Sequence, residues 1–247
     1  MTNKELDFLI KLKQKKYRHP ASAGEACFVV ENPKVILEEK NNKNLKQVYV
    51  TDNFLASLDD SLPFKYQVIS EKELKQVTNA VTPQGMLAVF AIPEIKDFAF
   101  KAKAIFILDN IQDPGNLGTI IRTADWFGFK DLFLGKNCVE IFNPKVVAAS
   151  MGSLFHLNFY ANLDLVELVK DLKKNKYHVL ATDLKGKEKF ILDTAKKIAV
   201  IVGNEAQGVS EEVKNEADQL IKLRSFGQAE SLNVAVATAI LMHEFKR

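Results

Sequence analysis

Three short segments of this 247-residue chain bring together residue types that bind ligands and move protons. The first reads Asn110-Ile111-Gln112-Asp113-Pro114-Gly115-Asn116-Leu117-Gly118-Thr119-Ile120-Ile121-Arg122-Thr123-Ala124. Asp113-Pro114-Gly115 is a turn signal, and a helix beginning there offers unpaired backbone N–H groups to a ligand. Gly118 and Arg122 stand four apart, so they share a helix face on which glycine leaves room beside a guanidinium. The second segment is Gly203-Asn204-Glu205-Ala206-Gln207-Gly208, where two glycines let backbone approach a ligand and Glu205 can accept hydrogen bonds. The third, Ser225-Phe226-Gly227-Gln228-Ala229-Glu230-Ser231-Leu232-Asn233, precedes an apolar helix. Ser231 and Asn233 can serve one site only if the helix start curls around the ligand, because a regular helix points them apart. Taken singly, each segment also has a structural reading: Asn116 and Ser231 as N-caps, Arg122 and Glu205 as solvated charges.

Other chemistries fit less well. The chain lacks the glycine-rich Lys-Ser/Thr ending of a P-loop, and residues 115–118 lack the full dinucleotide fingerprint. Two cysteines (Cys27, Cys138) and four scattered histidines argue against a disulfide framework and against a metal site. The net charge of +3 names no partner, though a pI near 8.6 suits an anionic one. The N-terminus is not a signal peptide, and no apolar run approaches the roughly 18 residues of a membrane span. A soluble, cytoplasmic protein is expected.

The elements that position these segments alternate between apolar strands and amphipathic helices. Residues 5–15 suggest a helix, and a positive run follows through Lys11, Lys13, Lys15, Lys16 and Arg18. Strands are expected at 27–30, 47–51, 66–69 and 86–92, with helices at 33–40 and 71–79. The mixed stretch 93–103 marks a boundary, giving domains 1–97 and 98–247. Beyond it, strands are expected at 104–109, 131–134, 156–160, 178–182, 198–202 and 219–223. Helices are expected at 115–127, 144–151, 163–173 and 230–245. Apolar strands each followed by a helix indicate an α/β fold with a mostly parallel sheet covered on both faces, behind a small α/β domain.

Together the three segments resemble the three signature motifs of the SPOUT-superfamily RNA 2′-O-ribose methyltransferases of the SpoU/TrmH type. Residues 116–124 resemble the first motif, 203–208 the second and 231–237 the third, in the same order and spacing. The likeness spans about 104–247, and Lys-Val-Val-Ala-Ala-Ser-Met-Gly-Ser-Leu-Phe at 145–155 resembles the family's middle segment. Lys16-Tyr17-Arg18, Phe28-Val29-Val30-Glu31 and Thr82-Pro83-Gln84-Gly85 resemble the small substrate domain of many members.

The resemblance implies a deep trefoil knot in the C-terminal domain, a chain path that plain doubly wound reasoning would exclude. It implies S-adenosylmethionine as cofactor, with Gly203, Leu223 and Leu232 lining its site. Where relatives usually read Ile-Pro-Met, this chain reads Leu223-Arg224-Ser225, and the loss of proline loosens that loop. Asn116, Arg122, Glu205, Ser231 and Asn233 are implied at the catalytic site. Two roles stay open for Arg122: proton acceptor, which demands a deprotonated guanidinium, or clamp on an adjacent phosphate. Lys13, Lys15, Lys16 and Arg18 are expected to contact RNA phosphates. The resemblance favours ribosomal over transfer RNA as substrate and implies a homodimer. A second reading keeps the fold without catalysis, as an RNA-binding or ribosome-assembly protein.

Overall fold

The computed structural model describes the chain apart from residues 19–24, 95–96, 189–195, 205–206 and 247. In chain order the elements begin α1 (Asn3–Lys11), α2 (Lys15–Arg18), β1 (Cys27–Val30), α3 (Pro33–Glu38), β2 (Leu45–Val50), α4 (Asp52–Ala56), β3 (Gln67–Val68), α5 (Glu71–Val77) and β4 (Met86–Ala91). They continue β5 (Ala104–Leu108), α6 (Pro114–Trp126), β6 (Asp131–Gly135), α7 (Pro144–Ser150), β7 (Asn158–Leu163) and α8 (Leu165–Lys174). Last come β8 (Tyr177–Lys187), β9 (Lys197–Val202), α9 (Glu211–Glu216), β10 (Gln219–Ile221) and α10 (Val234–Glu244). Two compact units result: Met1–Glu94 with Glu140–Gly152, and Ile95–Val139 with Ser153–Arg247.

The first unit is built on a four-stranded mixed sheet in the order β1-β4-β2-β3. All six residues of β4 are buried, as befits an apolar run paired on both sides. Gly85 turns the chain into β4 at φ +84°, and a Cβ there would stand 2.6 Å from Phe54 Cβ, so only glycine fits. Capping boxes at Thr2/Glu5 and Ser70/Glu73 start α1 and α5. Residues 140–152, far away in sequence, fold with this unit. Phe142 packs against Phe28 with ring centroids 4.7 Å apart, and Glu140 pairs with Arg18. A single cut in the sequence cannot express that excursion.

Arg18 needs a correction as a phosphate contact. Its side chain is buried, donating from Nε to Glu140 Oε1 at 2.9 Å, from Nη2 to Glu140 Oε2, and from Nη1 to the Leu12 carbonyl at 2.7 Å. A guanidinium committed inside the unit is not presented to an RNA backbone. Lys13 is also engaged, its Nζ donating to the Thr78 carbonyl at 2.8 Å. Lys15 and Lys16 are exposed.

The second unit carries a six-stranded sheet in the order β10-β8-β9-β5-β6-β7, with every pair parallel. β5 and β9 lie at its centre as apolar, almost wholly buried runs. From β5 the chain builds outward through β6 and β7, then returns to the other side of β5 for β8 and β9. The crevice at such a reversal, at the carboxyl ends of the strands, is where ligands bind in α/β sheets. After β10, at the sheet edge, the chain comes back to the centre, where α10 lies on α6. Phe245, just past α10, meets Phe106 of β5 edge-on at 5.8 Å.

Several elements differ from the sequence expectation: α1 ends at Lys11, β7 starts at Asn158, and α4 and α9 have no counterpart in it. For β8 a tertiary pairing explains the difference, and for α10 a local cap. β8 runs to Lys187 because β10 pairs with it, and the register jumps from Leu220↔Ala181 to Ile221↔Lys187. α10 starts at Val234 rather than at 230, because Asn233 supplies the cap. Among the described residues no helix is long and apolar enough to cross a membrane.

The Arg18–Glu140 pair gives a direct test. Arg18→Ala strands a buried carboxylate and should cost the first unit about 3–5 kcal/mol in urea unfolding, while Arg18→Met with Glu140→Leu should restore most of it. A loss below about 1 kcal/mol for Arg18→Ala, the range of exposed pairs, would contradict the buried pair.

Candidate active site

The first motif begins α6, and its cap is Asp113 rather than Asn116. Asp113 Oδ1 accepts from Asn116 N at 2.8 Å, and Pro114 follows at the position where a missing N–H costs nothing. Asn116 therefore sits inside the first turn with its side chain available for another partner. That partner is Asn233. Asn233 Oδ1 caps α10, accepting from Ala235 N at 2.9 Å and Val236 N at 3.3 Å. With its oxygen so fixed, Asn233 Nδ2 donates to Asn116 Oδ1 at 2.9 Å. One side chain thus starts a helix and ties the third motif to the first. Ser231 lies ahead of the helix, exposed in the loop that leads to it.

Arg122 stands on the exposed face of α6 and makes no hydrogen bond or ion pair among the described residues. Thr119 and Trp126, three before it and four after, share that face. Gly118, one turn earlier, is buried.

The second motif follows β9 and depends on Gly203. A Cβ there would stand 2.1 Å from the Gly208 carbonyl carbon and 2.2 Å from Val209 N, so any side chain would collide with backbone. Its absence lets the loop close on itself. Asn204 N donates to Gly208 O at 3.1 Å and Gly208 N to Asn204 O at 2.8 Å, with Gly208 at φ +70°. The loop is stitched to the one after β5: Asn204 Nδ2 donates to Asn110 O at 3.1 Å, and Asn110 Nδ2 to Gln207 Oε1 at 3.3 Å. Below it, buried Asp109 accepts from both Ser210 N (2.8 Å) and Ser210 Oγ (2.7 Å). Glu205 lies outside the described residues.

Cys138 braces the β5 exit from the other side. Its Sγ donates to Leu108 O at 3.3 Å and accepts from Ile111 N at 3.4 Å. Burial pushes its thiol up to about 11, the pattern of an inert structural cysteine.

These loops wall a cleft of about 760 Å³ within the second unit. Gly203, Leu223, Ser231 and Leu232 line it, whereas Asn116, Arg122 and Asn233 do not. The residues that β8 leaves out of its ladder form another wall, which includes Asp183. Asp183 Oδ2 accepts from Lys214 Nζ at 2.8 Å, and that ammonium, with the Lys185 N–H, holds its carboxyl below the usual range. Sequence reasoning passed over this pair because the two residues lie 31 positions apart and belong to no motif. Arg224 lines the cleft too, its guanidinium carbon 4.8 Å over the ring of exposed Phe226.

The donor set suits a cofactor such as S-adenosylmethionine. The cleft falls within the roughly 300–1,000 Å³ typical of small-ligand sites. Its lining alternates apolar side chains with bare loop backbone, and Gly203 and Gly208 keep that backbone unobstructed.

A parallel sheet whose reversal point opens into such a cleft, walled by loops that also anchor the last helix, defines an α/β enzyme working on a nucleotide-type cofactor. Comparison with known proteins narrows the class. The model of the SpoU rRNA Methylase family matches residues 103–243, and the chain belongs to that family. It is 34% identical over 221 residues, 89% of this chain and 88% of the relative, to the 23S rRNA (guanosine(2553)-2'-O)-methyltransferase RlmP of Bacillus subtilis. A protein from Porphyromonas gingivalis described as an RNA methyltransferase of the TrmH family superposes with TM-score 0.85 at 31% identity, over 99% of this chain and 98% of that one. The AdoMet-bound rRNA methyltransferase from Sinorhizobium meliloti superposes with TM-score 0.82 at 27% identity, over 99% and 95%.

Gly203→Ala should weaken S-adenosylmethionine binding at least about tenfold, or ~1.4 kcal/mol, by calorimetry, with circular dichroism unchanged. Wild-type affinity in that variant would show that the closed loop does not shape the cleft.

Proposed function

We propose that this protein transfers the methyl group of S-adenosylmethionine to a ribose 2′-hydroxyl of ribosomal RNA. The observation that carries the reading is the Asn233–Asn116 hydrogen bond, which holds the first and third motifs together beside the cleft. Ribosomal RNA is preferred because the RlmP match extends over most of both chains.

S-adenosylmethionine supplies an activated methyl group bound to a sulfonium. Gly203, Leu223 and Leu232 hold it in the cleft, and Asp183, fixed by Lys214, keeps one wall in place. Asn116, Ser231, Asn233 and Glu205 orient the ribose and Arg122 so that the hydroxyl oxygen is in line for attack. Arg122 either takes the hydroxyl proton or clamps the neighbouring phosphate through its planar fork while another acceptor takes the proton. The segment from β10 to α10, which returns to the sheet centre, is the part we assign to the family's trefoil knot. The first unit serves as RNA-binding domain, with exposed Lys15 and Lys16 as phosphate contacts beside Lys13; Arg18 is not among them.

Arg122→Ala should reduce methyl transfer to ribosomal RNA by at least about a thousandfold, as expected when a positioned charge or proton acceptor is lost. Binding of S-adenosylmethionine should be unchanged, because Arg122 does not line the cleft. Near-normal turnover in that variant would remove Arg122 from the site.

The working form is a homodimer in the cytoplasm. α6 and α10 expose Trp126 (84%), Val236 (49%) and Ile240 (38%), an apolar surface that a second copy can cover, and Arg122 sits one turn from Trp126. Trp126→Arg should give a monomer by light scattering and lose transfer; a wild-type protein that is already monomeric would refute the assignment.

A further inference from the structure

The loop between β10 and α10 carries an aromatic ring that the core does not use. Phe226 is 87% exposed, the most exposed aromatic side chain among the described residues. Arg224, two positions earlier, holds its guanidinium carbon 4.8 Å from the ring centroid. That guanidinium is itself exposed and has no carboxylate partner among the described residues. Both side chains line the cleft, on the loop that leads to Ser231. Ser225 Oγ donates to Gly227 O at 3.3 Å and folds the loop into a turn around Phe226. A Cβ at Gly227 would meet no atom within 4 Å, so the space outside that turn is open.

An exposed apolar side chain is ordinary on a protein surface, and a cation over a ring is an ordinary way to shield one. Shielding accounts for one face of the ring. It leaves the other face bare and the charge unneutralised, at the rim of the cleft. The cofactor does not complete the pair. S-adenosylmethionine is a net cation, which a guanidinium repels, and a ring so exposed touches little of what lies in the depth of the cleft. An unpaired nucleotide suits both halves at once, because it presents a flat base to the ring and a phosphate to the guanidinium.

We propose that Phe226 and Arg224 form a platform for one unpaired nucleotide of the substrate RNA. Its base stacks on the open face of the ring, and the guanidinium takes an adjoining phosphate. The cation already holds the ring in place, so little side-chain freedom is lost when a base arrives. Such a platform tolerates any base, since every base has a π-face, but it requires the base to be out of a helix. It therefore selects single-stranded or splayed RNA at the rim of the site. The inference rests on the RNA-methyltransferase reading for its choice of ligand.

The test uses the full chain and unmodified ribosomal RNA, with affinity measured across salt concentrations. Phe226→Ala should weaken RNA binding at least about fivefold, the loss of one base–aromatic stack. It should leave the slope of log K against log salt unchanged, because a stack releases no counterions. Arg224→Gln should lower that slope by about 0.7, one phosphate contact with a single strand. Phe226→Trp should keep the wild-type affinity, since the larger ring stacks as well. Calorimetric affinity for S-adenosylmethionine should stay within about twofold in all three variants. Wild-type RNA affinity in Phe226→Ala, or the wild-type slope in Arg224→Gln, overturns the platform. A loss of S-adenosylmethionine affinity as large as the loss of RNA affinity overturns it too, since the ring would then serve the cofactor. So does a dimer that falls to monomer in Phe226→Ala by light scattering, because a second copy of the chain would then cover the ring. If the wild-type protein binds RNA but transfers no methyl group, the enzymatic reading fails while these affinities still decide the platform.

Discussion

The site hangs on a single side-chain amide. Asn233 must accept from the first free N–H groups of α10 with its oxygen, which leaves its nitrogen to reach Asn116 on α6. The cap serves two of the helix's unpaired backbone donors, and that fixes the orientation of its amide. Because the cap is fixed, the loop before α10 must approach along the cleft, and Leu223, Ser231 and Leu232 end up in its wall.

Stability and geometry come from different forces here. The apolar strands β5 and β9 are buried almost completely, and each large side chain contributes about 1.5–3 kcal/mol on leaving water. The polar ties at the carboxyl edge are weaker, about 0.5–1.5 kcal/mol each, but they are directional. Asn204 to Asn110, Ser210 to Asp109 and Cys138 to Leu108 each join loops that the sheet alone would leave at liberty. Burial therefore makes the second unit fold, and these bonds decide what shape its ligand edge takes. Gly203 is the steric condition for both, since only a residue without Cβ lets the loop fold back on its own backbone.

Much of this was legible from residue order, and the main exceptions share one cause. β1 occupies the expected residues 27–30, and the apolar runs of β5, β6 and β9 fall within a residue of expectation, because an unbroken buried run has one reading. The Asp113-Pro114 signal for the start of α6 was also present, although Asn116 competed for the cap. Local pattern could not show that β8 extends to meet β10. Nor could it show that residues 140–152 leave one unit to pack in the other, or that Arg18 turns inward to Glu140. Each of these is set by a partner distant in sequence. The three motifs were visible as polar segments after apolar strands; the Asn116–Asn233 contact that unites two of them was not.

The most direct measurement is to map 2′-O-methylated riboses in ribosomal RNA from cells with and without this gene, then add purified protein and labelled S-adenosylmethionine to the unmodified RNA. The account predicts one ribose that loses its methyl group on deletion and regains label at the same nucleotide in vitro. Identical maps in the two strains, together with no label on the purified RNA, would contradict it.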